Sequence, residues 1–352
     1  HLVEMEETTI PFLTFYFTDY TTYYIPEDPV IDPNTYNAVK ILNILIYSIT
    51  FILGVIGNGV VIWIAGFKMT KTVSNIWFLN LAIADFVFDV FFPLQITEWI
   101  MDGHWPFGQA MCKVIFTALF LNMSVSTTFL MVISIDRCTS VMCPVWSKNH
   151  KTLKMASTVS IVIWSACFIL SSPYLAFFDI IHDSNSNISY CIPIYSDSDG
   201  VDEGQYKAML ITRLVIMFII PFSIILICYS LIVIRLRRRT HSKFSRPFKV
   251  IVTIVSSFFC LWFPFHLWPF LEYMNVEISA TMDFVMSHIV YAIGFFNSCV
   301  NPMVYAFIGR DFKKSLVKSI PFLLESTFQE KIESAEPSSQ NMVETEEMTT
   351  IN

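Results

Sequence analysis

The chain has 352 residues, of which 54% are hydrophobic and only 14% are charged, and it contains 33 phenylalanines. An ordinary soluble domain is roughly 25% charged. This composition leaves too little polar surface for a water-soluble enzyme, a disordered chain or a nucleic-acid-binding protein with basic patches. Eight cysteines are too few for a disulfide-rich scaffold of this length.

Seven stretches of the chain are long and apolar enough to cross a lipid bilayer, which takes about 20 residues per helix. A soluble protein could bury one such stretch in its core, but not seven. The sequence therefore predicts an all-α membrane protein, with a seven-transmembrane helix bundle over residues 41–309. The predicted spans are residues 41–67, 75–101, 109–135, 153–178, 207–235, 247–271 and 282–308.

Acidic and basic residues are segregated along the chain. Lys and Arg crowd into the segments after the first, third, fifth and seventh spans, whereas residues 1–40 and the loop between the fourth and fifth spans are mainly acidic. Cytoplasmic loops carry such an excess of Lys and Arg, so residues 1–40 are predicted to form an extracellular arm. The acidic outer face predicts a cationic partner, with simple solvation of the loops as the alternative.

Two cysteines, Cys112 and Cys191, fall on the predicted outer side of the membrane. The extracellular space is oxidising, so these two are expected to form a disulfide, whereas the other six are expected to be free thiols. Asn187 begins an Asn-Ile-Ser sequence in an outer loop and is a predicted glycosylation site.

The residues after the seventh span fall into two segments. In residues 310–321, Phe312, Leu316 and Ile320 recur at four-residue intervals with basic residues between them, which predicts an amphipathic helix on the inner leaflet. Residues 322–352 are acidic, poor in apolar residues and rich in Ser and Thr, which predicts a disordered tail.

Seven short motifs occur in order, one on each predicted span. Each motif alone is a weak signal, but the ordered set resembles the rhodopsin-like (class A) G-protein-coupled receptors from about residue 40 to residue 320. The motifs are Gly57-Asn58, Leu81-Ala82-Ile83-Ala84-Asp85, Asp136-Arg137-Cys138, Trp164, Pro221 with Tyr229, Trp262-Phe263-Pro264, and Asn301-Pro302 with Tyr305.

Further segments, such as His104-Trp105-Pro106-Phe107 and Ser171-Ser172-Pro173-Tyr174, are similar to the chemoattractant branch that contains the chemerin and formyl-peptide receptors. The resemblance implies a plasma-membrane receptor, not an enzyme, for a peptide or small-protein chemoattractant of the chemerin type. It also implies coupling to an inhibitory-type G protein, followed by receptor kinases and arrestin.

Within this branch, the formyl-peptide receptors carry an Asp on the third span and two Arg one turn apart on the fifth. This chain has Phe120 and Met217 at two of those places, and Arg213 at the third. A single arginine at this place is similar to the chemerin receptors, and this resemblance implies that Arg213 contacts the C-terminal carboxylate of a peptide. The alternative is a buried arginine that pairs with a loop acid.

The other residues predicted to line the ligand site are mainly aromatic. Most of these aromatic residues could equally belong to the bundle core, and half of the set need not touch the ligand. Asp89 lies one helical turn outward from Asp85 and is expected at the pocket floor, as a second polar site or a protonated carboxyl group. The full predicted set is Arg213, Phe120, Phe116, Trp99, Asp89, Trp262, His266, Glu272, His288 and Tyr291.

The resemblance implies a sodium ion as an allosteric ion and no other cofactor. Oxygen-only ligands suit a hard cation. A water-filled polar network without an ion is the alternative. The predicted sodium ligands are Asp85, Asn122, Ser126, Asn297 and Asn301.

The resemblance also implies an activation switch. An ion pair between Asp136 and Arg137 would hold Arg137 in the inactive state, unless Arg137 simply extends to the lipid headgroups. Tyr229 and Tyr305 would meet Arg137 once the sixth span swings outward. The other predicted switch residues are Phe258, Trp262, Pro264 and Pro302, with core packing as the alternative for Phe258.

Modification sites are predicted at both ends of the chain. Tyr20 is the preferred sulfation site, because it stands among acidic residues of the arm. The phosphorylation candidates in the tail are Ser334, Ser338, Ser339, Thr345, Thr349 and Thr350.

Three alternative functions stay open at this stage. One is a receptor for another chemoattractant: a formyl peptide, a complement-type or chemokine-type peptide, or a lipid mediator. Another is a scavenging receptor that recruits arrestin without G-protein signalling. The third is a seven-span transporter or enzyme, which would require discontinuous helices or an intramembrane metal or nucleophile site.

Overall fold

The computed structural model describes residues 31–183, 187–193, 196–197, 200–201, 203–239, 246–274 and 278–308. The predicted amphipathic helix, the tail and most of the predicted arm lie outside these residues. By the contacts between its residues, the chain forms two compact units, with the boundary between Val304 and Tyr305. The description below concerns the first unit, which ends at Val304.

Helices make up most of the described chain. The helices are α1 Pro33–Trp63, α2 Val73–Asp89, α3 Phe92–Ile100, α4 Gly108–Met142, α5 Pro144–His150, α6 Leu153–Ser171, α7 Tyr174–Phe177, α8 Glu203–Leu214, α9 Ile220–Arg239, α10 Arg246–Tyr273, α11 Ala280–Phe295 and α12 Asn297–Ile308.

Among the described residues, six helical segments are long and apolar enough to cross a membrane. They are Pro33–Lys68, Val73–Ile100, Gly108–Met142, Leu153–Phe177, Lys207–Arg235 and Ala280–Met303. Helix α10, with 28 residues, occupies the place of the sixth predicted span. At 1.5 Å per residue it measures roughly 42 Å, more than the thickness of a bilayer core. The predicted seven-helix bundle is confirmed.

Several spans are interrupted helices. The second span breaks after Asp89 and resumes as α3, where Pro93 in the first turn needs no helical hydrogen-bond donor. The first and fifth spans each contain a π-helical turn, Ile64–Lys68 and Val215–Ile219. The seventh span breaks at Phe296, between α11 and α12.

Helix α1 begins at Pro33, earlier than the predicted boundary at residue 41 between arm and bundle. The Asp32 carboxylate caps the first turn, and proline suits the first helical position. Tyr36 is buried and stacks on Phe284 of α11 at 6.2 Å. Residues 33–40 mix polar and apolar side chains, and only one face of this helical turn is apolar. A search for continuous apolar runs therefore does not predict this packing.

Helix α4 is the centre of the bundle, where it contacts α2, α6 and α9. Its side chains Met123, Val125 and Phe129 are completely buried. Conversely, large apolar side chains are exposed on the outer faces of other helices, such as Ile56 at 60% and Ile161 at 67%. Apolar surfaces of this kind are matched by lipid tails rather than by water.

The loop between the fourth and fifth spans contains two small antiparallel pairs. Strand β1 (Phe178–Asp183) pairs with β2 (Ile188–Pro193), with Ile180 opposite Cys191. Strand β3 (Ser196–Asp197) pairs with β4 (Gly200–Val201). The end of the bundle that carries the β1–β2 hairpin is called the hairpin end below, and the opposite end is called the Arg137 end.

Helices α1 and α2 approach closely at Gly54. A Cβ atom added to Gly54 would overlap the carboxyl group of Asp89, whereas one added to Gly59 would make ordinary contact with the Phe86 ring at 3.5 Å. The glycine therefore makes room for a buried polar side chain on the neighbouring helix.

We expect the Gly54→Ala substitution to destabilise the bundle by about 1–3 kcal/mol, because the inserted methyl group forces apart two packed helices. Gly59→Ala is the control and should be neutral or stabilising, since alanine is the better helix former. Thermal unfolding of the purified chain in detergent measures both effects. Equal midpoints for the two variants would contradict the proposed close approach.

Candidate functional site

The β1–β2 hairpin is fastened to the top of α4. The Cys112–Cys191 disulfide joins them, as predicted. The backbone N–H of Trp105, just before α4, donates to the Ser189 carbonyl at 2.7 Å. The amide of Gln109 donates to Asp179 at 2.6 Å. These contacts hold the hairpin against the first turns of α4 and the loop before it.

Arg213 is buried below this hairpin, with 1% of its surface exposed. Its guanidinium lies 5.3 Å from the ring centre of Phe265 on α10. Tyr174 and His266 lie close enough to interact with it electrostatically. The predicted deep arginine thus faces aromatic side chains from α7 and α10.

Phe116 and Phe120 of α4 are packed against aromatic rings of β1 and α7. Phe116 stacks on Phe178 at 4.0 Å, and Phe120 stacks on Tyr174 at 3.5 Å. Both phenylalanines are nearly completely buried. The two predicted pocket residues therefore form a wall between α4 and the hairpin.

The predicted residues on the second and seventh spans also lie near one another. The Trp99 ring meets the His288 ring edge-on at 5.0 Å, and Tyr291 meets Phe265 edge-on at 5.0 Å. The side chain of Glu272, also predicted here, lies outside the described residues.

Three further predicted residues, Phe258, Trp262 and His266, lie on α10. Trp262 meets Phe265 at a right angle, with ring centres 5.2 Å apart. Phe258 stacks on Phe218 of the fifth span at 6.0 Å. His266 is 1% exposed, and neither of its ring nitrogens has a hydrogen-bond partner among the described residues.

Asp85 lies at the centre of a buried polar network. Its carboxylate accepts hydrogen bonds from Asn122 at 2.9 Å, Ser126 at 2.9 Å and Asn301 at 2.8 Å. The network joins α2, α4 and α12, and it contains four of the five predicted sodium ligands. Asn297 is buried, but none of the described hydrogen bonds joins it to Asp85.

Asp89 forms a second buried polar cluster, one helical turn from Asp85. Asn58 of α1 donates to it at 3.0 Å, and Ser298 of α12 donates at 2.6 Å. The side chain has no exposed surface. Asp89 therefore links α1, α2 and α12.

At the Arg137 end, the predicted ion pair between Asp136 and Arg137 is not present among the described salt bridges. Asp136 instead pairs with Lys151 at 2.9 Å. The Lys151 ammonium, which also donates to the Asp136 carbonyl at 2.6 Å, therefore occupies the carboxylate that was expected to hold Arg137.

The other predicted switch residues are placed as follows. Tyr229 accepts a hydrogen bond from Ser134 at 3.0 Å and lies close enough to Arg137 to interact electrostatically. Pro264 and Pro302 lie inside α10 and α12. The Tyr305 side chain lies outside the described residues.

Of the predicted modification sites, Asn187 is exposed beside the hairpin turn, with a φ of 56°. Asparagine tolerates this left-handed conformation better than most residues. Tyr20 and the six predicted phosphorylation sites lie outside the described residues.

Sequence reasoning missed Lys151, Ser298 and Phe218. Lys151 appears in the sequence as one of several loop lysines, and nothing in its surroundings distinguishes it. Ser298 does follow the predicted ligand Asn297 directly. This adjacency was the only available signal.

The comparisons with known proteins agree with this architecture. The model of the family described as 7 transmembrane receptor (rhodopsin family) matches residues 57–305. The chain is 40% identical to chemerin-like receptor 1 of Sus scrofa over 322 residues, which cover 88% of this chain and 89% of the relative.

Two human proteins are similar over comparable lengths. Chemerin-like receptor 1 of Homo sapiens is 40% identical over 319 residues, 88% of this chain and 86% of the relative. N-formyl peptide receptor 3 of Homo sapiens is 35% identical over 326 residues, 89% of this chain and 92% of the relative.

The chain therefore belongs to the rhodopsin family of seven-transmembrane, G-protein-coupled receptors. It is a multi-pass membrane protein, and its relatives are receptors rather than enzymes, which argues against the transporter or enzyme alternative.

The electrostatics of the hairpin anchor lead to a pH prediction. Partial burial opposes ionisation of Asp179, but the Ile180 N–H, the Gln109 amide and the Lys113 ammonium at 3.5 Å outweigh it. The pKa of Asp179 therefore lies below its usual range.

Because the folded-state pKa is depressed, the stability that Asp179 contributes is complete at neutral pH and is lost as the pH falls through the folded-state value. We expect Asp179→Asn to unfold at a lower temperature than the unchanged chain at pH 7. The gap should close in acid. Thermal unfolding of both proteins across this range checks it, and a gap independent of pH would contradict the assignment.

Proposed function

We propose that this protein is a plasma-membrane receptor for a basic chemoattractant peptide or small protein of the chemerin type. The C-terminal carboxylate of the ligand binds Arg213, and the receptor activates an inhibitory-type G protein at the Arg137 end. Receptor kinases and arrestin then act on the tail. The observation that carries this proposal is a buried arginine beside a buried histidine at the hairpin end.

The orientation follows from charge. Lys68, Lys148, Lys151, Lys154 and Arg235 all follow or begin spans at the Arg137 end. An excess of Lys and Arg in short loops marks the cytoplasmic side. The hairpin end, with its disulfide, therefore faces the extracellular space, and so does the N-terminus.

The ligand site is built for a carboxylate. Arginine binds carboxylates through two parallel hydrogen bonds, which are strong in a buried setting. The ring nitrogens of His266, beside Arg213, have no partner among the described residues. Buried polar groups are almost always hydrogen-bonded, so a ligand with an acidic end completes this site.

The rest of the ligand is basic. Near the buried arginine, the hairpin and the loop before α4 carry Asp102, Asp179 and Asp183, of which the first two also pair with Lys40 and Lys113. An acidic rim attracts a cationic peptide and raises its association rate. A peptide with basic residues and a free C-terminus fits both features.

The Arg137 end offers the surface for a G protein. On the short helix α5, Val145 is 74% exposed and Trp146 is 48% exposed. Contiguous exposed apolar side chains rimmed by polar ones mark sites of protein or membrane contact. Arg137 lies on the adjacent α4, so both features are available to one partner.

A sodium ion is the proposed allosteric ion of the Asp85 network. The network consists of a carboxylate, a hydroxyl and two amides, and each of these groups contains an oxygen atom suited to a hard cation. Asn122 and Asn301 now direct their NH2 groups at Asp85. Rotation of each amide would present its oxygen instead, without a change in shape.

The carboxylate contact is tested with a synthetic peptide of the chemerin C-terminus, made as the free acid and as the C-terminal amide. We expect Arg213→Gln to weaken binding of the acid by at least about 30-fold, the cost of truncating one partner of a buried charge pair. Binding of the amide should change little. Radioligand competition on membranes measures both affinities.

Arg235→Gln is the matched control, because this arginine lies on the same span at the other end. Inhibition of cAMP formation, with and without pertussis toxin, and arrestin recruitment are read in the same cells. A toxin-sensitive response supports the proposal. Arrestin recruitment without a cAMP change would indicate the scavenging receptor, and equal losses for acid and amide would overturn the carboxylate contact.

The sodium proposal predicts ion-specific stabilisation. We expect the unfolding midpoint in NaCl to exceed that in choline chloride by at least about 2 °C, since a ligand that binds only the folded state stabilises it. Asp85→Asn should abolish the difference and Asp89→Asn should keep it. Equal midpoints for the unchanged chain in both salts would contradict the sodium site.

A further inference from the structure

The ion pair at the Arg137 end is unusually complete. The Lys151 ammonium donates to the Asp136 carboxylate at 2.9 Å, to the Asp136 carbonyl at 2.6 Å and to the Ser140 hydroxyl at 2.8 Å. An ammonium has three N–H donors. All three are therefore committed to one turn of α4.

The pair is also shielded from solvent. Only 11% of the Lys151 side chain and 9% of the Asp136 side chain are exposed. Ser74 of α2 lies within hydrogen-bond distance of the same carboxylate, at 3.4 Å. Removal of one partner from such a pair leaves a buried charge that must find another.

Lys151 follows α5 directly and ties that helix to the bundle. Its backbone N–H donates to the Ser147 carbonyl at 3.1 Å, and the Ser147 and Ser140 hydroxyls are 3.3 Å apart. The segment held in this way carries the exposed Val145 and Trp146.

Arg137 is the other cation near Asp136. With Asp136 held by Lys151, Arg137 remains on the side of α4 that faces Tyr229. The two cations therefore compete for one carboxylate, and the outcome decides whether Arg137 is available to a partner.

We propose that Lys151 is a positioning residue for signalling, which holds Asp136 away from Arg137 and thereby sets the basal activity of the receptor. This inference rests on the proposed coupling to a G protein. The pairing itself does not, and it can be measured without a G protein.

The test uses the full chain in lipid nanodiscs with an inhibitory-type G-protein heterotrimer and no peptide. Lys151→Met should lower basal GTPγS binding about fivefold or more, because Asp136 then captures Arg137. Lys151→Arg should restore it. Lys154→Met, at an exposed lysine at the start of α6 that takes no part in the described salt bridges, should match the unchanged chain.

Asp136→Asn provides the second arm. This change releases Arg137 whether or not Lys151 is present, so Asp136→Asn and Asp136→Asn/Lys151→Met should have equal basal activity. Such non-additivity is the signature of two residues that act through one interaction. Additive effects would overturn the proposal.

Hydrogen exchange of the α5 amides reports the tether alone. Faster exchange in Lys151→Met, but not in Lys154→Met, is expected. Unchanged exchange would show that the pair does not hold α5, and faster exchange with unchanged basal activity would show a merely structural role. An unchanged chain that is silent toward the G protein would contradict the proposed coupling, while the exchange data would still decide the pairing.

Discussion

The carboxylate of Asp85 is the constraint on which the bundle depends. A charged or polar group without partners is costly inside a membrane protein. Asp85 has no exposed surface and accepts hydrogen bonds from Asn122, Ser126 and Asn301. These donors come from the third and seventh spans. Lipid provides no hydrophobic driving force for helices to associate, so these hydrogen bonds help to hold the second, third and seventh spans together.

The same rule explains the polar side chains at other depths. Asp89 is held by Asn58 and Ser298, and Gly54 supplies the space that its carboxyl group occupies. Two further buried charged groups lie at the two ends of the bundle. Arg213 lies among aromatic rings under the hairpin, and Asp136 pairs with Lys151. Buried polar groups are thus found from the hairpin end to the Arg137 end, with the helices packed around them.

The sequence predicted the elements whose signals are local or strongly patterned. Span positions follow from runs of apolar residues, and the Cys112–Cys191 disulfide follows from sidedness. The pairing of Asp136 with Lys151 did not follow, because it depends on how a loop folds back on α4. The partners of Asp89 depend on helix rotation, since Ser298 lies 209 residues away. The early start of α1 depends on the packing of Tyr36 against Phe284.

The most direct test of coupling between the two ends is a reciprocity measurement. A fluorescent C-terminal chemerin peptide is titrated into the receptor in nanodiscs, with and without the nucleotide-free heterotrimer. Linked sites change each other's affinity by the same factor. Our account predicts that the heterotrimer raises the peptide affinity about fivefold or more and that GTPγS reverses the gain. An affinity that is the same in all three conditions would contradict it.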